Sequence, residues 1–184
     1  MRRNERRAAS WLAALVLGLL AQNANAVTLP VFFGQLVDTQ TVATPLGIGD
    51  DLFVDTLVTT ETGSLSQTVN FTVGAGVTGF VGTAAWLVWP PESTGPRLVG
   101  VNIDILDASD AVIFSDTFAG VLANFAHSTL GGALAPGDYR LVASGNAIRT
   151  ASLDVSLVFV PEPGAAGLLG LGLGALALRR RARR

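Results

Sequence analysis

Three segments of this chain alternate between apolar and polar side chains, with Gln67 and Val158 as the exceptions, and that alternation dictates the fold class. Leu65, Gln67, Val69, Phe71 and Val73 interleave with Ser66, Thr68, Asn70 and Thr72. Val99, Val101, Ile103 and Ile105 interleave with Gly100, Asn102 and Asp104, and Ala151, Leu153, Val155, Leu157 and Phe159 with Ser152, Asp154, Ser156 and Val158. Successive side chains of a strand point to opposite faces, so a period of two marks a sheet with one face in the core and one in water. Further strands are predicted over Val31–Val37, Leu52–Thr60, Phe80–Trp89, Ala111–Phe118, Val121–Thr129 and Asp138–Ser144, separated by turn signals such as Gly49-Asp50-Asp51, Trp89-Pro90-Pro91 and Pro136-Gly137-Asp138. Leu106–Val112 reads as a hairpin. Nine short half-polar strands cannot enclose a core as one open sheet and need a second. The expected fold is therefore all-β: a single two-sheet antiparallel sandwich of jelly-roll type. Cysteine is absent, so burial alone must hold residues 27–160 together, a length that suits one domain.

The two ends read differently. Arg2, Arg3, Arg6 and Arg7 precede the apolar run Trp11–Ala21, and Ala24-Asn25-Ala26 is a small-x-small cleavage site. That is the pattern of a signal peptide over residues 1–26. Its eleven apolar residues are too few to cross about 30 Å of hydrocarbon, and Glu5 interrupts the arginines of a twin-arginine signal. General secretion is the expected route. At the other end, Pro161-Glu162-Pro163 is followed by an apolar Gly/Ala/Leu stretch over 164–178 and by Arg179, Arg180, Arg181, Arg183 and Arg184. The prolines end the preceding strand, the apolar stretch can form a short transmembrane helix whose arginines snorkel, and the arginines stay on the cytoplasmic side.

This tail, residues 161–184, resembles the PEP-CTERM sorting signal of Gram-negative bacteria. The resemblance implies recognition by the membrane protease exosortase, with Pro161, Glu162, Pro163 and Arg179–Arg181 as the signal. It also implies an inner-membrane-anchored precursor that becomes a cell-surface or secreted protein, associated with biofilm or extracellular polysaccharide. Phe114-Ser115-Asp116-Thr117-Phe118 further spells Phe-x-Asp-x-Phe, and Phe53-Val54-Asp55-Thr56-Leu57 is a near copy. With the Leu134–Leu141 segment, these resemble the FxDxF subgroup of that family. Either copy can be the family element; the earlier one, ahead of the Asn70–Val73 strand, has the matching position. On a regular strand, Phe53 and Asp55, or Phe114, Asp116 and Phe118, would share one face. An Asp held between apolar groups should then sit at an edge or bulge and accept backbone N–H groups, a structural role.

Charge narrows the partners. Without its two ends the chain keeps three arginines against twelve carboxylates, a net charge of −9, which repels phosphate backbones and argues against nucleic acid. Asp104, Asp107 and Asp110 do not have the spacing of a calcium loop and read as solvated turn residues. Gly74-Ala75-Gly76-Val77-Thr78-Gly79 spells GxGxxG, but the residues after it are strand-like, where a dinucleotide site needs a helix. His127 is the sole histidine and has no partner pattern for a metal or a triad. Trp86 and Trp89, three apart, should face opposite sides, one in the core and one free to stack on a sugar. No catalytic, cofactor or metal residues are expected. The leading reading is a non-enzymatic surface or matrix protein whose partners are the secretion machinery, exosortase, the inner membrane in passing and extracellular polysaccharide. The alternative is a secreted carbohydrate-binding sandwich.

Overall fold

The computed structural model describes residues 26–161; residues 1–25 of the signal peptide, Ala24 among them, and the tail from Glu162 onward lie outside them. Eleven strands run in order: β1 (Thr28–Phe33), β2 (Val37–Thr41), β3 (Asp51–Val58), β4 (Gly63–Val73), β5 (Gly79–Leu87), β6 (Leu98–Asp107), β7 (Val112–Ser115), β8 (Thr117–Leu122), β9 (Phe125–Ala133), β10 (Gly137–Ala147) and β11 (Ala151–Val160). They form two sheets, a six-stranded one ordered β1-β3-β11-β5-β9-β8 and a five-stranded one ordered β2-β4-β10-β6-β7. Among the described residues there is no helix. These residues form an all-β sandwich.

Successive strands mostly change sheet, and only β6–β7 and β8–β9 are hairpins within one. Alternating sheets is what a jelly roll does, but the pairing is not wholly antiparallel. Seven pairs are antiparallel, whereas β1 runs parallel to β3 and β2 parallel to β4. The connection from β1 to β3 contains all of β2 and the loop Val42–Asp50. That is long enough to return the chain to its starting end, which a parallel pair requires. Alternation reports which face is buried and says nothing of direction.

The inward side chains are those the alternation selects. Ala151, Leu153, Val155, Leu157 and Phe159 of β11 are fully buried, as are Leu65, Val69, Phe71 and Val73 of β4. Phe159 and Phe71 meet across the sheets with ring centroids 5.8 Å apart. β6 departs from the expected pattern: Leu98 is buried and Val99 only half-buried. Gly100 has φ +60°, and β6 carries one extra residue against β10 here. The bulge flips the alternation beyond it. One polar link crosses the core. Thr56 Oγ1 on β3 donates to Gln67 Oε1 on β4 at 2.6 Å, and Gln67 Nε2 donates to the Gln35 carbonyl at 2.7 Å.

Candidate functional site

The two FxDxF-like copies occupy unlike places. Phe53, Asp55 and Leu57 lie together on the outer face of β3, so the carboxylate stands beside apolar groups in solvent rather than in the core. In the second copy the chain changes sheet inside the motif. Phe114 on β7 packs inward, its ring 5.1 Å from Phe80 and over Gly132, where an added Cβ would strike it. Asp116 lies between β7 and β8, and Phe118 on β8 is 60% exposed. The Asp116 carboxylate accepts the Ile103 N–H at 2.8 Å, while its own N–H donates to the Ile103 carbonyl at 2.9 Å. The side chain therefore takes up a donor left unpaired where β7 leaves the sheet. This is structural work at an edge crossing.

Strand register brings Asp55 opposite Asp154, ninety-nine residues later, in a row that runs Phe32, Asp55, Asp154, Ala85, His127 and Gly120 across the outer face. Partial burial raises the Asp154 pKa above its ordinary value. The Asp55 charge and a hydrogen bond shared with Asp55 push it the same way. Because the folded-state pKa is raised, this group favours folding below its unfolded pKa and loses that contribution as pH rises through the folded value. Asp154→Asn should therefore stabilise the protein at pH 7 by about 0.5 kcal/mol, the solvent-screened worth of a like-charge cross-strand pair. At pH 3 it should have no effect. Thermal melts at the two pH values check this.

His127 does not complete a catalytic constellation with this pair. It stands two strands from Asp154, about 10 Å at ordinary strand spacing. Its cross-strand neighbours are Ala85 and Gly120, neither of them a nucleophile, and its ring lies 6.4 Å from that of Phe125.

The opposite sheet carries a shallow groove of about 380 Å³, floored by Asn70, Thr72, Asp138 and Arg140 and walled by Thr41 and the β6–β7 turn. β4 and β10 create it by setting Asn70 against Arg140 and Thr72 against Asp138. Its polar groups are engaged with one another. Thr72 Oγ1 donates to Asp138 at 2.7 Å, Asn70 Nδ2 donates to Thr41 Oγ1 at 3.1 Å, and Arg140 pairs with Asp110. Asp107 caps the hairpin read from the sequence by accepting the Ser109 hydroxyl and the Ser109 and Ala111 N–H groups. These bonds, that of the Ser109 side chain first, hold its pKa below the ordinary carboxylate value. Partial burial raises the Tyr139 pKa, with a smaller push from Asp107. Three carboxylates and one guanidinium give the groove an acidic lining. Among the described residues, no three His, Cys, Asp or Glu side chains cluster as metal ligands would.

Trp86 is buried in the core, 5% exposed, whereas Trp89 is 38% exposed and lies past the end of β5 rather than on it. Gly95 closes one side of the Trp89 ring so tightly that a Cβ there would come within 2.5 Å. Arg149 ties down the same loop by donating to the Gly95 carbonyl at 3.3 Å and to the Pro91 carbonyl at 2.5 Å. The Gly74–Gly79 sequence is the turn between β4 and β5 and leads into a strand.

No protein-family profile matches the chain, and no curated protein does. Among solved structures, it is similar to the pre-peptidase C-terminal domain of a collagenase from Bacillus anthracis. The TM-score is 0.40 at 11% identity, over 65% of this chain and 94% of that one. It is also similar to PliG, a periplasmic inhibitor of g-type lysozyme from Aeromonas hydrophila, with TM-score 0.35 and 11% identity over 71% of this chain and 99% of the other. A β-glucosidase from Paenibacillus barengoltzii gives TM-score 0.31 and 13% identity over 73% of this chain and 13% of the enzyme.

Proposed function

We propose that this protein is a non-enzymatic surface or matrix component of a Gram-negative bacterium, exported by its signal peptide and sorted through its tail by exosortase. The observation that carries this reading is where the sandwich stops. β11 is an interior strand of its sheet, between β3 and β5, and it ends at Val160. Pro161 is exposed immediately after it. Among the described residues, every strand of the two sheets therefore precedes the Pro161-Glu162-Pro163 signal, and on this reading a cut there releases the sandwich whole. On this reading residues 164–178 hold the precursor in the inner membrane as a helix, and Arg179–Arg181 with Arg183 and Arg184 fix its orientation. Replacing those five arginines with serine should let the precursor misorient and escape processing, and deleting exosortase should make the precursor accumulate. Processing that proceeds unchanged in both strains contradicts the proposal.

The exposed ring of Trp89 on its tied loop supports a second reading, a carbohydrate-binding sandwich, because an aromatic face held rigid can stack on a sugar. Polysaccharide pull-down with Trp89→Ala separates the two. Specific binding that is lost in the variant favours the second reading, and no specific binding removes it.

A further inference from the structure

We infer that β8 is a self-association edge, through which two copies of this chain pair antiparallel and join their six-stranded sheets. The sheets are unequal in number, and β8 is the strand left over. β7, the margin of the smaller sheet, packs on β9, with Phe114 lying over Gly132. β8 therefore overhangs. By register Phe118 and Val121 stand with Ser128 and Ala126, whose side chains are buried, yet Phe118 and Val121 remain 60% and 59% exposed. On the other face Leu122 is 74% exposed. Phe118 lies beside the Trp86 ring, with centroids 6.1 Å apart, but among the described residues nothing covers the rest of these inward-facing apolar side chains at the strand edge, as another strand would.

The other three margins are guarded in the ways sheets usually are. β1 contains Pro30, and its Phe32 carbonyl accepts Gln40 Nε2 at 2.6 Å. β2 carries Asp38, whose carboxylate takes the Thr39 N–H at 2.7 Å. β7 is four residues long and lies between Asp110 and Asp116. β8 has neither charge nor proline. From Thr117 to Gly137 the chain has no Asp, Glu, Lys or Arg, although residues 27–160 carry a net charge of −9. Two copies thus meet the least mutual repulsion at this edge. An antiparallel pair about a twofold axis is self-complementary, because one edge supplies both the donors and the acceptors, and this favours a second copy over an unrelated strand. The register shift after Phe118, with Gly120 at φ +120°, bends the strand and confines pairing to a short ladder. Six residues bury less than the roughly 800 Å² per partner of a standard interface, so the dimer is weak and closed rather than a growing fibre.

The absence of cysteine from the sequence makes the test direct. Val121→Cys and Leu122→Cys are each introduced into the full chain, with Thr39→Cys on the guarded β2 edge as the control; all three sites are exposed. Disulfide dimer formation under mild oxidation should be at least about tenfold faster for one of the β8 variants than for the control. Adding Ala119→Lys, also at an exposed site, should return it to the control rate, and matched thermal melts show that the fold is unchanged. Rates equal to the control, or a fast rate that Ala119→Lys leaves unaltered, overturn the inference. So does an adduct with a different protein in place of the dimer.

Discussion

Replacing Phe159 with alanine is expected to destabilise the protein by about 4 kcal/mol, the cost of removing a fully buried aromatic side chain and leaving a cavity. Phe159 has no exposed surface, and its ring meets Phe71 of the facing sheet. Its backbone also holds the loop before β3: Gly49 N–H donates to the Phe159 carbonyl at 2.7 Å, and Phe159 N–H donates to the Asp50 carbonyl at 3.0 Å. A loss of about 4 kcal/mol is a large share of the roughly 5–15 kcal/mol that holds a typical domain folded. Urea titration followed by circular dichroism should show the midpoint falling steeply, and a change under about 1 kcal/mol would contradict the packing described. The position also matters for the proposed sorting, because Phe159 lies two residues before Pro161. A cut that removed it would release an unstable domain.

The second large effect is expected at the polar link through the core. Gln67→Leu deprives the buried Thr56 hydroxyl of its acceptor and the Gln35 carbonyl of its donor. Leaving buried polar groups unpaired should cost about 2 kcal/mol. Adding Thr56→Val removes one of those orphans, so the double variant should be more stable than Gln67→Leu alone, with a coupling energy of about 1 kcal/mol. Strictly additive losses in the four-way comparison would show that the two side chains do not depend on each other.

β4 and β11 were legible in the sequence because each has one wet face and one dry face, so the period of two is clean. The run Val31–Val37 is not one strand: the chain leaves β1 at Phe33 and enters β2, in the other sheet, at Val37. Ala111–Phe118 hides a similar change of sheet at Asp116. Val121–Thr129 contains a whole hairpin turn, formed by Ala123 and Asn124 with φ +48° and +70°. No glycine or proline marks it, and the apolar residues on both sides hide it. Eleven strands thus stand where nine were expected. The candidate sites depend on strand order, which alternation does not encode. Asp55 meets Asp154 only because β3 and β11 are neighbours, and the groove exists only because β10 sets Arg140 beside Asn70. The reading of Asp116 needed only local chemistry, since a carboxylate between apolar neighbours at a strand end has few uses besides accepting backbone N–H groups. The same reasoning failed to separate it from Asp55, whose face of the sheet is open to solvent.

The proposal that the tail is a sorting signal makes one quantity decisive, the intact mass of the protein recovered from the surface of its native host. Removal of residues 1–26 and a cut at Pro161-Glu162-Pro163 should leave a sandwich that begins near Val27 and lacks 164–178 and the arginines after it. A heavier, membrane-held precursor should be found in the same cells and should be the main form when exosortase is deleted. A surface form whose mass still includes residues 164–184 would contradict the account.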